Sequence, residues 1–225
     1  MQKTMEDLVS HIETLLAEYY RFSPIVSATS FMLNDAALSS FSGSENLNSE
    51  DFSPERGSVV VVDEGEKDGV FIGLHIADSV VVGLENANPL NSLDGENLDK
   101  FCLLVEELSH FHLILNRMSE KKTVTRLELE WQAEIDKLLI SSIILKRQNG
   151  FSNQNQLAIA LFEQAITTSS KKELYDTATR YAAKFWFEAL QNSNWTDQKV
   201  RGFLIRNYNL NWEDKRTNLE NLRSA

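Results

Sequence analysis

Two apolar helix patterns joined by a short polar stretch occupy the chain from Leu98 to Arg147. The first reads LDKFCLLVEELSHFHLIL and the second RLELEWQAEIDKLLISSIIL. Apolar residues recur in both at i, i+3 and i+4 over a length no ordinary strand reaches. The connection, about residues 118–125, is short enough to fold the two into an antiparallel hairpin. A hairpin this apolar becomes the stem on which the rest of the chain must pack.

The same two patterns carry acidic and histidine residues where a plain core would not. Glu106 and His110 are four apart on the first, and Glu130 and Glu134 are four apart on the second. Each pair therefore shares a helix face. A register centred near Lys121 sets His110 near Gln132 and Glu106 near Asp136, within about one helical turn. Ionised carboxylates are costly to bury unless paired, hydrogen-bonded or bound to metal. Carboxylates with an imidazole suit Zn, Mn or Fe. The sharp reading makes Glu106, His110 and Glu134 ligands of a divalent metal, with Glu130 as general base toward a metal-bound water. Glu107-Leu-Ser-His110 has the Glu-x-x-His spacing of bundle-core metal sites, but no second copy is present and HExxH is absent. The plain reading is a solvated acidic face, with Glu106, Glu107, Glu128 and Glu130 paired to Lys100, Arg126 or Lys137.

Charge and composition narrow the functional classes. The formal net charge of −11 opposes general nucleic-acid binding, which needs cations to displace counterions from phosphate. Acidity concentrates between Asn34 and Gly69, with nine acidic and two basic residues. From Lys171 onward ten basic residues outnumber seven acidic ones, so a mildly basic C-terminal face is expected. That region interleaves Arg180, Lys184, Lys199, Arg201 and Arg206 with aromatic residues. This pattern means aromatic core with snorkelling cations, or interface anchors, more readily than nucleic-acid contact. Only three prolines and nine glycines favour long helices. The single cysteine, Cys102, rules out an intrachain disulfide and fits a reducing, cytoplasmic setting. Its place in an apolar run makes it a buried, inert thiol. The opening residues lack a signal-peptide pattern, and no run approaches the ~20 apolar residues of a membrane span.

Along the chain, Met5–Tyr20 reads as an amphipathic helix and Ile25–Leu33 as a strand. Residues 34–57 read as a long acidic loop, expected to be mobile over Ser40–Glu55. Val59–Val62 and Val70–His75 flank DEGEKDG as a β-hairpin. Val80–Leu84 is a third strand or a short helix, with β-branching favouring the strand. Asp94 or Asn97 caps the hairpin's first helix, and Thr125 opens its second through capping-box spacing. Helices follow over 152–168, 172–191 and 196–208, with a short one after Asn211. His75 is expected on an exposed or rim position and His112 in the core. Ser109 and His110, about 100° apart on a helix, cannot pair as nucleophile and base. No phosphate-binding glycine loop and no G-x-S-x-G elbow occurs.

These readings describe a mostly α, α+β protein. Residues 1–92 form a helix plus a small β element with the acidic loop 34–57, and 93–225 form a bundle of about five helices, continuous with it. The function expected is a soluble, cytoplasmic, non-catalytic interaction or regulatory subunit with a protein partner, without membrane or nucleic acid. The alternative is a metal-dependent hydrolase or other metalloenzyme on the hairpin.

Overall fold

Thr4 sets the start of the first helix, α1 (Met5–Tyr20), through a capping box. Its hydroxyl accepts from the Asp7 amide, and the Asp7 carboxylate accepts from the Thr4 amide. Leu8, Ile12, Leu15 and Leu16 bury one face. Arg21 ends the helix in the left-handed conformation, at φ 60°. The structure is a computed structural model and describes residues 4–41, 56–63, 70–149, 154–163, 172–191 and 196–222.

A 3-10 turn (Ala28–Phe31), a two-residue strand β1 (Met32–Leu33) and a short helix α2 (Asp35–Phe41) follow. Then come strands β2 (Gly57–Asp63) and β3 (Val70–Ile76). The sheet order is β1-β3-β2, with β1 parallel and β2 antiparallel to β3. Alternation sorts the side chains by face. Val59, Ile72, Leu74 and Ile76 join the main core, while Val60 and Val62 pack with Phe71 and with Leu38 of α2.

The structure departs from the sequence expectation in three places here. Ile25–Leu33 pairs as a strand only at its last two residues. The Ala28 amide and Ser27 hydroxyl both donate to the Glu13 carboxylate, at 2.9 and 3.0 Å, and this draws the segment into a turn. Residues 35–41 of the expected loop are helical, and the stretch expected to be mobile lies almost wholly outside the described residues. Val80–Leu84 belongs to a helix, α3 (Asp78–Asn86), not to a strand. Val80 and Leu84, four apart, are buried while Val82 is exposed. Asp35 Oδ1 accepts the Asp78 amide at 3.3 Å, satisfying a donor at the helix start. Packing and a tertiary cap thus override the propensity of a valine run.

The helical half is built on α4 (Leu98–Ser119) and α5 (Arg126–Asn149). Contacts pair Arg117 with Glu128, His110 with Glu130, Ser109 with Asp136 and Glu106 with Lys137. The numbers run in opposite directions, so the two helices are antiparallel. Lys121, at φ 54°, and the Lys122 amide donating to Arg117 O at 2.9 Å close α4. The Thr125 hydroxyl accepts the Glu128 amide at 3.1 Å and opens α5. Asn97 stands at the N-cap of α4 but turns its side chain elsewhere, donating to Ala87 O and Ser92 O at 2.9 and 2.7 Å.

Gln148 near the end of α5 holds the same loop. Its Oε1 accepts the Leu93 amide at 2.9 Å and its Nε2 donates to Pro89 O at 2.7 Å. Gln148→Ala strands two part-buried backbone groups, so a loss of about 1–3 kcal/mol is expected. Urea denaturation reads the loss, and amide exchange at Leu93 should accelerate with it; an unchanged midpoint would refute this role.

The remaining helices are α6 (Gln154–Glu163), α7 (Lys172–Gln191), α8 (Asp197–Tyr208) and α9 (Trp212–Glu220). Helix α7 lies along α5. Thr196 and Asn211 cap α8 and α9 by accepting the Lys199 and Asp214 amides. Much of the basic C-terminal third is used internally. Arg201 donates to the Glu18 and Tyr19 carbonyls at the end of α1, and Lys184 to the Leu219 carbonyl at the end of α9. Its aromatic residues Phe185, Trp186, Phe203 and Tyr208 are buried. One apolar cluster includes Leu8, Leu74, Phe101, Trp131, Phe185 and Leu219. Among the described residues no helix is long and apolar enough to cross a membrane.

Candidate functional site

Where α4 meets α5, carboxylates outnumber cations. Glu106, Glu107 and His110 come from α4, and Glu130, Glu134 and Lys137 from α5. Lys137 Nζ donates to Glu134 Oε1 at 2.8 Å and to Glu106 Oε2 at 3.1 Å. His110 stands between the other two carboxylates, with Nδ1 3.9 Å from Glu107 Oε2 and Nε2 3.8 Å from Glu130 Oε2. These are ion-pair separations, too long for hydrogen bonds. The side chains of His110 and Glu134 are 12% and 8% exposed. Glu134 Oε2 and His110 Nε2 are buried without a hydrogen-bond partner.

The backbone brings the sheet to this site. A Cβ at Gly57, the first residue of β2, would lie 3.0 Å from Glu107 Cγ and 3.1 Å from His75 O. Any larger residue would have to push these neighbours back by a few tenths of an ångström, so glycine suits the close approach of the strand to α4. Arg56 precedes it and lowers the pKa of Glu106.

The electrostatics follow from burial and the carboxylate surplus. Burial pulls His110 down, but Glu130, Glu107 and Glu106 outweigh it and lift the imidazole to about 9. Burial chiefly, helped by the charges of Glu106 and Glu107, raises Glu130 to about 7 against His110 and Lys137. Glu107 is raised by burial, which its contact with His110 only partly offsets. Burial would raise Glu106 too, yet Lys137 and His110 hold it below the usual carboxylate range. Burial would lower Lys137, but Glu106 and Glu134 keep its ammonium above the ordinary value. Tyr175 of α7 borders the cluster: burial and then Glu130, Glu106 and Glu107 raise its phenol.

The four residues singled out from spacing thus lie in one cluster, but in a different partnership from the metal reading. Glu106 and Glu134 share the Lys137 ammonium, which stands where a shared cation would sit. His110 faces Glu107 and Glu130 rather than Glu106 and Glu134. Among the described residues no three His, Cys, Asp or Glu groups are disposed to hold a metal ion. The solvated-face reading is met in its pairing of Glu106 with Lys137, but its exposure is corrected. Glu107 and Glu128 are 7% and 1% exposed, and Glu128 is bound by Arg117 and Lys215. Sequence reasoning named Glu107 for its Glu-x-x-His spacing and Lys137 as a partner of the acidic face, but took neither as a ligand, although each lies three residues from a singled-out partner. Tyr175 left no local signal, because α7 reaches the cluster only through tertiary packing.

Some other buried polar groups are absorbed in internal networks. Asp136 accepts from Ser109 Oγ at 2.6 Å, Tyr20 Oη at 2.5 Å and Gln132 Nε2 at 3.1 Å. His112 Nε2 lies 3.1 Å from Glu13 Oε1, in the core as expected. Burial raises the Cys102 thiol to about 12, so it stays neutral and unreactive at physiological pH. His75 overturns the expectation of a rim position. It is fully buried, with Nε2 2.8 Å from Asp35 Oδ1, because α2 covers the sheet face on which it lies. Ser58 stands opposite it across the strands, and Ser58 Oγ and His75 Nδ1 both lack partners. The order is inverted for nucleophilic catalysis: the carboxylate is 48% exposed while the serine oxygen is buried.

No protein-family model, curated protein or solved structure matches this chain.

Proposed function

We propose that this protein is a non-catalytic interaction subunit that holds a positively charged group of a protein partner at the α4–α5 cluster. The observation that supports the reading is Glu134, which is 8% exposed, with one oxygen held by Lys137 and the other without a partner. It belongs to a cluster in which, among the described residues, four carboxylates lie within ion-pair distance of Lys137 or His110. Unpaired buried charge is costly, and a cation from outside supplies the missing partner. The net charge of −11 draws cationic partners and repels phosphate backbones. A cytoplasmic setting is part of the reading, on the ground of the lone buried Cys102.

A second reading retains catalysis. Glu130, raised to about 7, is suited to act as a general base at neutral pH. Its metal-dependent form requires Lys137 to leave Glu106 and Glu134.

Titration with Nα-acetyl-lysine N-methylamide, followed by heteronuclear NMR, separates the two. Saturable shifts at His110 and Glu134, weakened about tenfold or more by Glu134→Gln, are expected for loss of a charge-assisted contact. Absence of saturable shifts sinks the interaction reading. Ester or phosphoester hydrolysis in the presence of Zn²⁺ or Mn²⁺, abolished by Glu130→Gln, would establish the enzyme instead.

A further inference from the structure

We propose that the α4–α5 cluster takes a primary ammonium group in exchange for a proton, so that proton and ammonium compete for the same carboxylates. The inference rests on the binding reading above and specifies its ligand chemistry and its regulation.

Charge balance carries the argument. Glu106, Glu107, Glu130 and Glu134 face His110 and Lys137, and none of these side chains is more than 22% exposed. With Arg56 also acting on Glu106 a surplus of one negative charge remains, and water reaches it too little to screen it. An empty site therefore relieves the surplus by keeping a carboxyl protonated. The hydrogen bonds say where that proton sits. Glu106 and Glu134 each accept a hydrogen bond from the Lys137 ammonium, and against burial Lys137 and His110 keep Glu106 below the usual carboxylate range. Glu107 and Glu130 stand 3.9 and 3.8 Å from His110, with no hydrogen bond to stabilise an anion. The proton therefore belongs to Glu107 or Glu130. The raised values of Glu107 and Glu130 agree with this. The other groups facing the site hold their charge over pH 5–8. Lys137 and His110 stay cationic, Glu106 stays anionic, and Cys102 and Tyr175 stay neutral. Arg56 adds a fixed positive charge, and His75, buried beyond Glu107, is paired with Asp35. When an ammonium enters, the carboxyl O–H breaks, the carboxylate pairs with the cation and the proton leaves to buffer. The net charge of the site does not change.

The geometry also selects the cation. Glu134 offers a single free oxygen, which cannot make the two-pronged contact a guanidinium prefers. An ammonium has three diverging donors and can pair through one of them with a single oxygen such as the unpartnered one of Glu134. Lys137 already shows an ammonium bridging two of these carboxylates.

Calorimetry of Nα-acetyl-lysine N-methylamide binding, in phosphate and in MOPS at a common pH, reads the proton exchange directly, since the buffers differ in ionisation heat. Release of about one proton per bound probe is expected at pH ~6, fading by pH ~8.5. The dissociation constant should tighten by up to about tenfold per pH unit across pH ~5.5–6.5. Glu130→Gln mimics the protonated carboxyl, so it should fold and bind but release markedly fewer protons; Glu107→Gln is the second variant of this kind. Saturable binding without buffer dependence overturns the proton exchange and leaves the interaction reading standing. No binding of the probe overturns both. Tighter binding of Nα-acetyl-arginine N-methylamide, or displacement of the lysine probe by Zn²⁺ or Mn²⁺ at a lower concentration, overturns the ammonium assignment.

Discussion

Glu128→Ala should destabilise the fold by about 3–5 kcal/mol, the cost of breaking a buried ion pair by removing one partner. Glu128 Oε1 accepts from Arg117 Nη2 at 2.8 Å and from Lys215 Nζ at 2.8 Å, and all three side chains are 1% exposed or less. Arg117 also donates to the Tyr208 and Leu210 carbonyls at 2.7 and 2.6 Å, so the triad fastens α4, α5 and the α8–α9 connection together. Without Glu128, Lys215 loses its ion-pair partner and Arg117 keeps only the longer contact with part-exposed Glu120, at 3.7 Å. Lys215→Met provides the contrast. It leaves the Arg117–Glu128 pair one to one and fills a similar volume over the Trp131 ring, so a cost below about 1.5 kcal/mol is expected. Burial already holds the Lys215 ammonium down at about 8, so its charge is poorly accommodated. Urea denaturation of both variants, with m-values compared, measures the difference. Equal losses would show that packing, not charge balance, governs this part of the core.

Asp136 should make the protein less stable as the pH rises from about 4 to 6, by an amount on the order of 3 kcal/mol. Burial lifts its carboxyl from the usual 3.8 to about 6, against the opposing effect of donors on Ser109, Tyr20 and Gln132. Between those values the folded state keeps a proton that the unfolded chain has lost. The contribution is therefore fully present below about 3.8 and is lost as the pH passes through about 6. Many carboxylates titrate in this window, so the informative quantity is a difference. The stability of Asp136→Asn minus that of the unaltered protein should grow by about 3 kcal/mol from pH ~4 to ~7. A constant difference would mean that the three donors hold Asp136 ionised throughout.

Periodicity made most helices legible, because an amphipathic stripe is a local property of the chain. Residues 5–20 and 172–191 needed nothing more, and caps at Thr125 and Asn211 marked two starts. The hairpin register was legible too, since a short connection between two long helices leaves few alternatives. It was α3 that misled: four β-branched or apolar residues read as a strand, while Asp35, 43 residues upstream, supplies a helix-start acceptor. His75 misled for the same reason, because nothing next to it announces that α2 will cover its face of the sheet.

The candidate site divides along the same line. Four-residue spacing on two facing helices let the sequence alone set Glu106 and His110 on one helix face and Glu130 and Glu134 on another, opposite each other to within about a turn. Tertiary structure decided which carboxylate each cation serves. Lys137 takes Glu106 and Glu134, and His110 is left between Glu107 and Glu130 without a hydrogen bond to either. Spacing along a helix fixes a direction to within a turn, whereas pairing depends on separations of an ångström or two. Those are set by how α5 slides on α4, how closely Gly57 lets the sheet approach, and where α7 lies. A carboxylate's state of charge turns on the same separations. The surplus that motivates an ammonium site is therefore a property of the packed protein, beyond anything the order of its residues states.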